Sequence, residues 1–221
     1  MLMNKIVLMV IVASIFANVI SCSSTAGSSE SESNAAAIVD TTIYGKLETA
    51  YFAAGCFWAV EGIFESLKGV KEAESGYSGG HTKDPSYRTV SAENTGHAET
   101  VAVHYDPEMI SYKTLLKVYF ASQDPTQVQG QGPDRGDSYR SVIFYTNPTE
   151  ERLAIDARNA LANSGKYKKP ITVQIVAFKA FYKAEQYHQN YDQYHADEPY
   201  VASVSIPRIE RAKALFPELV K

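Results

Sequence analysis

Cys56 is the residue of this 221-residue chain best placed to do chemistry. It sits in Gly55-Cys56-Phe57-Trp58, where an apolar strand-like run (Tyr51, Phe52, Ala53, Ala54) meets a helical pattern with Phe57, Val60, Phe64 and Leu67 on one face. The pattern stops at Gly69, where a helix C-terminus is expected. A cysteine in the first turn of a helix faces unsatisfied N–H groups and the positive end of the macrodipole, which favours thiolate over thiol. The two aromatic residues after it would form an apolar cup beside the sulfur. A buried structural cysteine is the alternative that position alone leaves open.

The chain holds one other cysteine, Cys22. It ends a segment with Lys5 as a small positive n-region and an apolar stretch, Ile6 to Ile20, broken only by Ser14 and Asn18. That stretch is short for a membrane span and suits a signal h-region. Val19-Ile20-Ser21 before Cys22 resembles a bacterial lipoprotein box, which implies cleavage before Cys22, lipid on its sulfur and an exported, membrane-tethered protein. Ordinary secretion with cleavage nearby is the alternative. With Cys22 lipidated, Cys56 would be the only free thiol, excluding an internal disulfide framework or a multi-cysteine zinc site.

The elements that must position Cys56 follow from composition and period. Residues 1–21 read as the signal segment and 22–42 as a Ser/Ala/Glu tether too polar to build a core. Residues 43–221 read as one globular domain. The formal net charge of −4, with no basic run, gives no reason to expect a nucleic-acid partner. Strands are expected at about Glu48–Ala54, at Val101, Val103 and Tyr105 as a half-buried strand, at Tyr139–Tyr145, and at Ile171, Val173 and Ile175. Ser111 caps a helix carrying Leu115, Leu116, Tyr119 and Phe120, and Asn147-Pro148-Thr149-Glu150 starts another that ends before Gly165. A long polar loop runs from Gln123 to Ser138, a tyrosine-rich segment from Tyr182 to Tyr200, and a last helix from about Pro207. The mixture argues for a two-layer α+β domain.

Six motifs then appear in order: Gly55-Cys56-Phe57-Trp58, Gly76-Tyr77-Ser78-Gly79-Gly80, Pro85-Ser86-Tyr87-Arg88, Thr95-Gly96-His97-Ala98-Glu99, Asp134 to Ser141, and Ala184-Glu185-Gln186-Tyr187-His188. Together they resemble the peptide methionine sulfoxide reductases of the A type. The resemblance implies an α+β sandwich, ferredoxin-like, with a mixed sheet flanked by helices. It implies reduction of the S epimer of methionine sulfoxide, in proteins or free, by a monomer with no bound cofactor and no metal. By the same resemblance Cys56 is the nucleophile and Glu99 the proton donor, Phe57 and Trp58 enclose the S-methyl group, and Tyr87, Tyr139 and Asp134 line the pocket of the sulfoxide oxygen. Read by itself, Glu99 would share a strand face with Val101 and Val103, where desolvation would raise its pKa; an exposed strand-edge glutamate is the alternative.

Many members of that family carry further cysteines in the C-terminal tail that resolve the oxidised nucleophile as a disulfide. Here Tyr200-Val201-Ala202-Ser203-Val204-Ser205 has none. The sulfenic acid left on Cys56 would need an external thiol, from a thioredoxin-like protein or a small molecule. Three other readings stay open: a cysteine hydrolase using His97 or His188 as base, a tethered aromatic-rich binding lipoprotein, and a metal site among His97, His104, His188, His195 and Asp192.

Overall fold

The computed structural model describes residues 46–221. The signal segment, the tether and Cys22 lie outside the described residues.

The chain enters as β1 (Glu48–Ala53), turns through Gly55-Cys56 into α1 (Phe57–Glu65), and returns as β2 (Val70–Ser78). A short helix α2 (Tyr87–Val90) leads to β3 (Ala98–Tyr105), α3 (Tyr112–Ala121) and, beyond the long loop, β6 (Val142–Tyr145). That loop carries a two-residue ladder, β4 (Gly130–Gln131) with β5 (Asp134–Arg135). Four strands lie in the order β6-β1-β3-β2. β3 pairs antiparallel with both β1 and β2, so β1 and β2 are parallel to each other with β3 between them. This split β-α-β arrangement, repeated through α3 and β6, is ferredoxin-like. Helix α4 (Pro148–Asn163) then brings β7 (Gln174–Ala177) parallel to β6, and β8 (Phe181–Lys183) adds antiparallel to β2, making a mixed six-stranded sheet.

Local signals placed the helix starts. Ser111 accepts the Thr114 N–H at 3.1 Å, and Asn147 accepts those of Thr149 and Glu150 at 3.0 Å each. One sheet face carries Phe52, Val101, Val103 and Tyr105 against the helices, with the Phe52 ring 5.1 Å from both Phe64 and Tyr119. The other face is not left to solvent. Tyr51, Ala102, Phe144 and Phe181 cluster there, with Phe178 stacked on Tyr51 at 4.0 Å. β3 is therefore buried on both faces rather than half-buried.

The expected boundaries moved where tertiary bonds outweigh local pattern. The strand expected from Tyr139 begins at Val142, because the flanking side chains of Tyr139 bind elsewhere and hold residues 137–139 in a tight 3-10 turn. The strand around Ile171 begins at Gln174, since the Thr172 N–H goes to the Pro125 carbonyl of the long loop (2.8 Å). β2 gave no strand pattern: Lys71, Glu72, Glu74 and Gly76 are poor strand formers. It is held by pairing on both edges and by Glu74, which contacts His104 (3.1 Å) and Lys183 across the ladders. After a short helix α5 (Tyr191–Tyr194), helix α6 (Ile206–Leu215) starts where expected, preceded by a π-helical turn at Val201–Ser205.

Candidate active site

Cys56 occupies the N-cap of α1, one residue before the helix, with φ −52° and ψ 124°. The turn that puts it there requires Gly55. Its φ is +77°, and a Cβ on it would lie 2.6 Å from the Gln131 side chain. Cys56 is only 7% exposed. The expected stabilisation of its thiolate by the helix terminus does not prevail. Burial and then the nearby Glu99 carboxyl push the thiol well above its usual range, against smaller opposing contributions from the Trp58 N–H and the Tyr200 hydroxyl.

Glu99 is 3% exposed, on the face of β3 shared with Val101 and Val103. It accepts the Phe57 backbone N–H at 3.0 Å, one of the donors that the start of α1 leaves without a partner. Burial raises its pKa to about 8 despite that bond, helped by Asp134 and Glu93. At neutral pH it therefore carries its proton.

Tyr87, Tyr139 and Asp134 come from α2 and from the long loop before β6. Tyr87 begins α2, and its N–H donates to Glu185 Oε1 (2.9 Å), while Tyr77 donates to Glu185 Oε2 (3.0 Å). Tyr139 is held by its neighbours. Ser138 donates to Glu93 through both its N–H (3.0 Å) and its hydroxyl (2.5 Å), and Arg140 Nη2 donates to the Gly96 carbonyl (2.9 Å). Burial and then Glu99 raise the hydroxyl pKa of both Tyr87 and Tyr139, and Cys56 adds to each, so both phenols keep their protons. Asp134 accepts the Tyr200 hydroxyl at 2.8 Å, and burial raises its pKa.

The two aromatics after Cys56 part company. Phe57, at 1% exposure, belongs to the core and packs on Tyr77 and His188 at 5.8 and 5.0 Å. Trp58 is half-buried, stacked flat on Tyr191 at 3.8 Å and 8°, with its Nε1 donating to His188 Nδ1 (3.2 Å). Tyr200 meets its edge at 6.1 Å.

Sequence reasoning missed Tyr200 and Arg208, and gave Glu185 and His188 a place in a motif without the contacts they make here. The density of tyrosine between Tyr182 and Tyr200 was the available signal for Tyr200. These residues wrap the start of α1. Arg208 of α6 donates from Nη1 to the Ala54 carbonyl (2.8 Å) and from Nε to the Ser122 carbonyl (3.0 Å).

The histidines are engaged elsewhere. His97 binds the Gly80 N–H (3.2 Å) and the Thr82 carbonyl (2.9 Å), and His188 is held by Trp58 with its pKa lowered to about 4 by burial. Neither is bonded to Cys56 as a base would be. Among the described residues no group of three His, Cys, Asp or Glu is placed to hold a metal ion. No described helix is long and apolar enough to cross a membrane.

A buried cysteine at the head of a helix and a buried carboxyl of raised pKa whose field reaches it, on a mixed α+β sheet, are features that a thiol-dependent oxidoreductase requires. Comparison with known proteins is specific. The family model for peptide methionine sulfoxide reductase matches residues 48–218. The peptide methionine sulfoxide reductase MsrA of Natronomonas pharaonis is 44% identical over 172 residues, covering 78% of this chain and 97% of that protein. The MsrA of Methanosarcina mazei is 48% identical over 162 residues, 72% of this chain and 77% of that protein. Among solved structures, the methionine sulfoxide reductase A of Corynebacterium diphtheriae aligns with TM-score 0.62 at 31% identity, covering 68% of this chain and 76% of that one. Reduced Mxr1 from Saccharomyces cerevisiae aligns with TM-score 0.65 at 29% identity, covering 70% and 88%. The chain belongs to the peptide methionine sulfoxide reductases of the MsrA type and is an oxidoreductase.

Proposed function

We propose that this chain reduces the S epimer of methionine sulfoxide through Cys56 as nucleophile and Glu99 as acid, and that it repairs oxidised methionine in exported proteins. The observation that carries the mechanism is the protonated Glu99 held on the Phe57 N–H beside the Cys56 sulfur. A sulfoxide oxygen leaves sulfur only after gaining a proton, and a neutral carboxyl in a dry site supplies it where the charge develops. Tyr87 and Tyr139 hold the sulfoxide oxygen, Asp134 braces the same pocket through Tyr200, and Phe57 and Trp58 enclose the methyl group.

The Cys56 thiolate attacks the sulfoxide sulfur while the oxygen takes up protons. The net step turns thiol and sulfoxide into sulfenic acid and thioether, moving two electrons from Cys56 to the substrate. A raised thiol pKa suits this order of events. The proton stays on sulfur in the empty site, and a bound sulfoxide presenting a positive sulfur draws it off.

Cys56 is the one cysteine among the described residues, so the sulfenic acid is cleared by an external thiol, from a thioredoxin-like protein or a small molecule. The sequence of residues 1–22 supports export with a lipid on Cys22, a tether over 22–42 and a catalytic domain over 43–221, working as a membrane-anchored monomer with no bound cofactor.

The test is turnover of purified protein on the two separated epimers of a methyl sulfoxide compound with dithiothreitol. Reduction of the S epimer alone is expected, and without thiol a single equivalent per protein with Cys56 one oxygen heavier by mass spectrometry. Equal turnover of both epimers, or a Cys22–Cys56 disulfide in the native protein, would contradict the reading.

A further inference from the structure

Cys56 is reached by a cavity of about 450 Å³ that its own side chain lines together with Asp134, Tyr200, Ser203, Arg208 and Arg211. Phe57, Trp58, Tyr87, Glu99 and Tyr139 do not line it. The sulfur thus has two sides, one facing the acid and the aromatic residues, the other facing the C-terminal segment.

Among the residues lining the cavity, Arg208 carries an unfilled donor. Arg208 is 8% exposed, and two of its nitrogens are spent on the Ala54 and Ser122 carbonyls. Its third, Nη2, is buried with no hydrogen-bond partner. A buried guanidinium N–H without an acceptor is costly, and such a group marks a place for a ligand. Arg211, three residues on and so on the same side of α6, is exposed at the cavity's outer part. The carboxylates in the same wall have partners: Asp134 holds Tyr200 at 2.8 Å, and Asp124 accepts the Thr126 hydroxyl and N–H at 2.7 and 2.9 Å. Those donors are neutral and cancel no charge, so the preference for an anion rests on Arg208 Nη2, which lacks an acceptor, and on Arg211 at the exposed end.

We propose that this cavity is the entrance for the reductant, sharing Asp134 and Tyr200 with the sulfoxide pocket but otherwise lined by the C-terminal segment, and that it selects a small thiol bearing a carboxylate. The assignment rests on Cys56 being left as a sulfenic acid. Arg211 attracts the carboxylate, and Arg208 Nη2 binds the oxygen on Cys56 as it departs. The incoming thiolate attacks the Cys56 sulfur, an S–S bond forms, the S–O bond breaks, and the oxygen leaves with protons as water. A second thiol attacks the outer sulfur of that mixed disulfide, releasing a free disulfide and the Cys56 thiolate. Two thiols are oxidised by one electron each, and the sulfenic sulfur is reduced by two.

Turnover of the full-length protein on saturating methyl sulfoxide is measured with 3-mercaptopropionate or cysteamine as the varied thiol. Arg211→Glu is expected to raise the KM for 3-mercaptopropionate by about three- to tenfold and to lower that for cysteamine. Taking each thiol as a ratio between variant and parent cancels the different acidities of the two thiols. Arg211 is exposed, so the variant folds. Equal shifts for both thiols, or none, overturn the proposal. Ser203→Trp, which narrows the cavity, is expected to raise both KM values, and an unchanged pair overturns it as well. A single turnover of the parent protein without thiol reads the sulfoxide step by itself. Its failure removes the sulfenic acid and the reading beneath, whereas a normal burst with thiol dependence blind to charge removes only the reductant entrance.

Discussion

Glu99 is where one atom's surroundings decide the chemistry. On a solvated strand edge it would be ionised at neutral pH and useless as an acid. Buried beneath the start of α1 it keeps its proton to about pH 8, and the Phe57 N–H orients it. Glu99→Gln keeps the shape and removes the proton, and is expected to slow sulfoxide reduction roughly 10²- to 10⁴-fold. In the parent protein the acid form is present below the folded pKa and lost above it, so the single-turnover rate is expected to fall as pH rises through about 8. The Gln variant should lack that limb, and a rate that keeps its decline in the variant would assign it to another group.

At the scale of elements, the turn between β1 and α1 sets the direction of the nucleophile. Gly55 holds φ +77° and leaves no room for a Cβ against Gln131. Gln131 is itself fixed, accepting the Asp124 N–H at 2.9 Å and donating to the Asp124 carbonyl at 3.0 Å. Gly55→Ala is expected to cost about 1–3 kcal/mol of stability from backbone strain and crowding, read as a lower urea midpoint. Activity is expected to fall further than stability, because the same displacement moves Cys56 from Glu99. The 3-10 turn at Asp137–Tyr139 plays the same part for Tyr139. It interrupts what would otherwise be a longer β6, and the cost is met by the bonds of Ser138 and Arg140.

For the whole molecule, burial of acids makes stability depend on pH in one direction. Glu99, Glu61 and Asp192 have folded pKa values of about 8, 7 and 6, all raised first by burial, and Glu65, Glu150 and Asp134 shift the same way. The folded state keeps protons that the unfolded chain releases near pH 4–5, so stability present in acid is lost as pH rises through these values. His188, lowered to about 4, acts oppositely and weakens the fold as pH falls from about 6.5. Glu74, lowered to about 2, adds stability above about pH 4.5 and loses it only in stronger acid. Three strongly raised acids outweigh one histidine, and the melting temperature is expected to fall by several degrees between pH 5.5 and 8.5. Glu99→Gln should flatten part of that decline.

The sequence alone determined what lies close along the chain. Strand β1 running into the Cys56 helix, the caps at Ser111 and Asn147, the family motifs and Cys56 as the proposed nucleophile are all local pattern, and local pattern survives without knowledge of the partners. It also showed that residues 57–221 hold no second cysteine. The tertiary structure decided the rest, because the deciding interactions join residues far apart. β2 pairs despite poor strand formers, since neighbours on both edges take up its polar groups. β3 is buried on both faces because Phe178 and Phe181 arrive from the far end of the chain. Helix-end electrostatics alone predict a thiolate at Cys56, and burial beside Glu99 reverses it. Tyr200 and Arg208 could not be read from spacing. What they do depends on a C-terminal segment folding back over the head of α1, where desolvation turns ordinary polar side chains into neighbours of the sulfur.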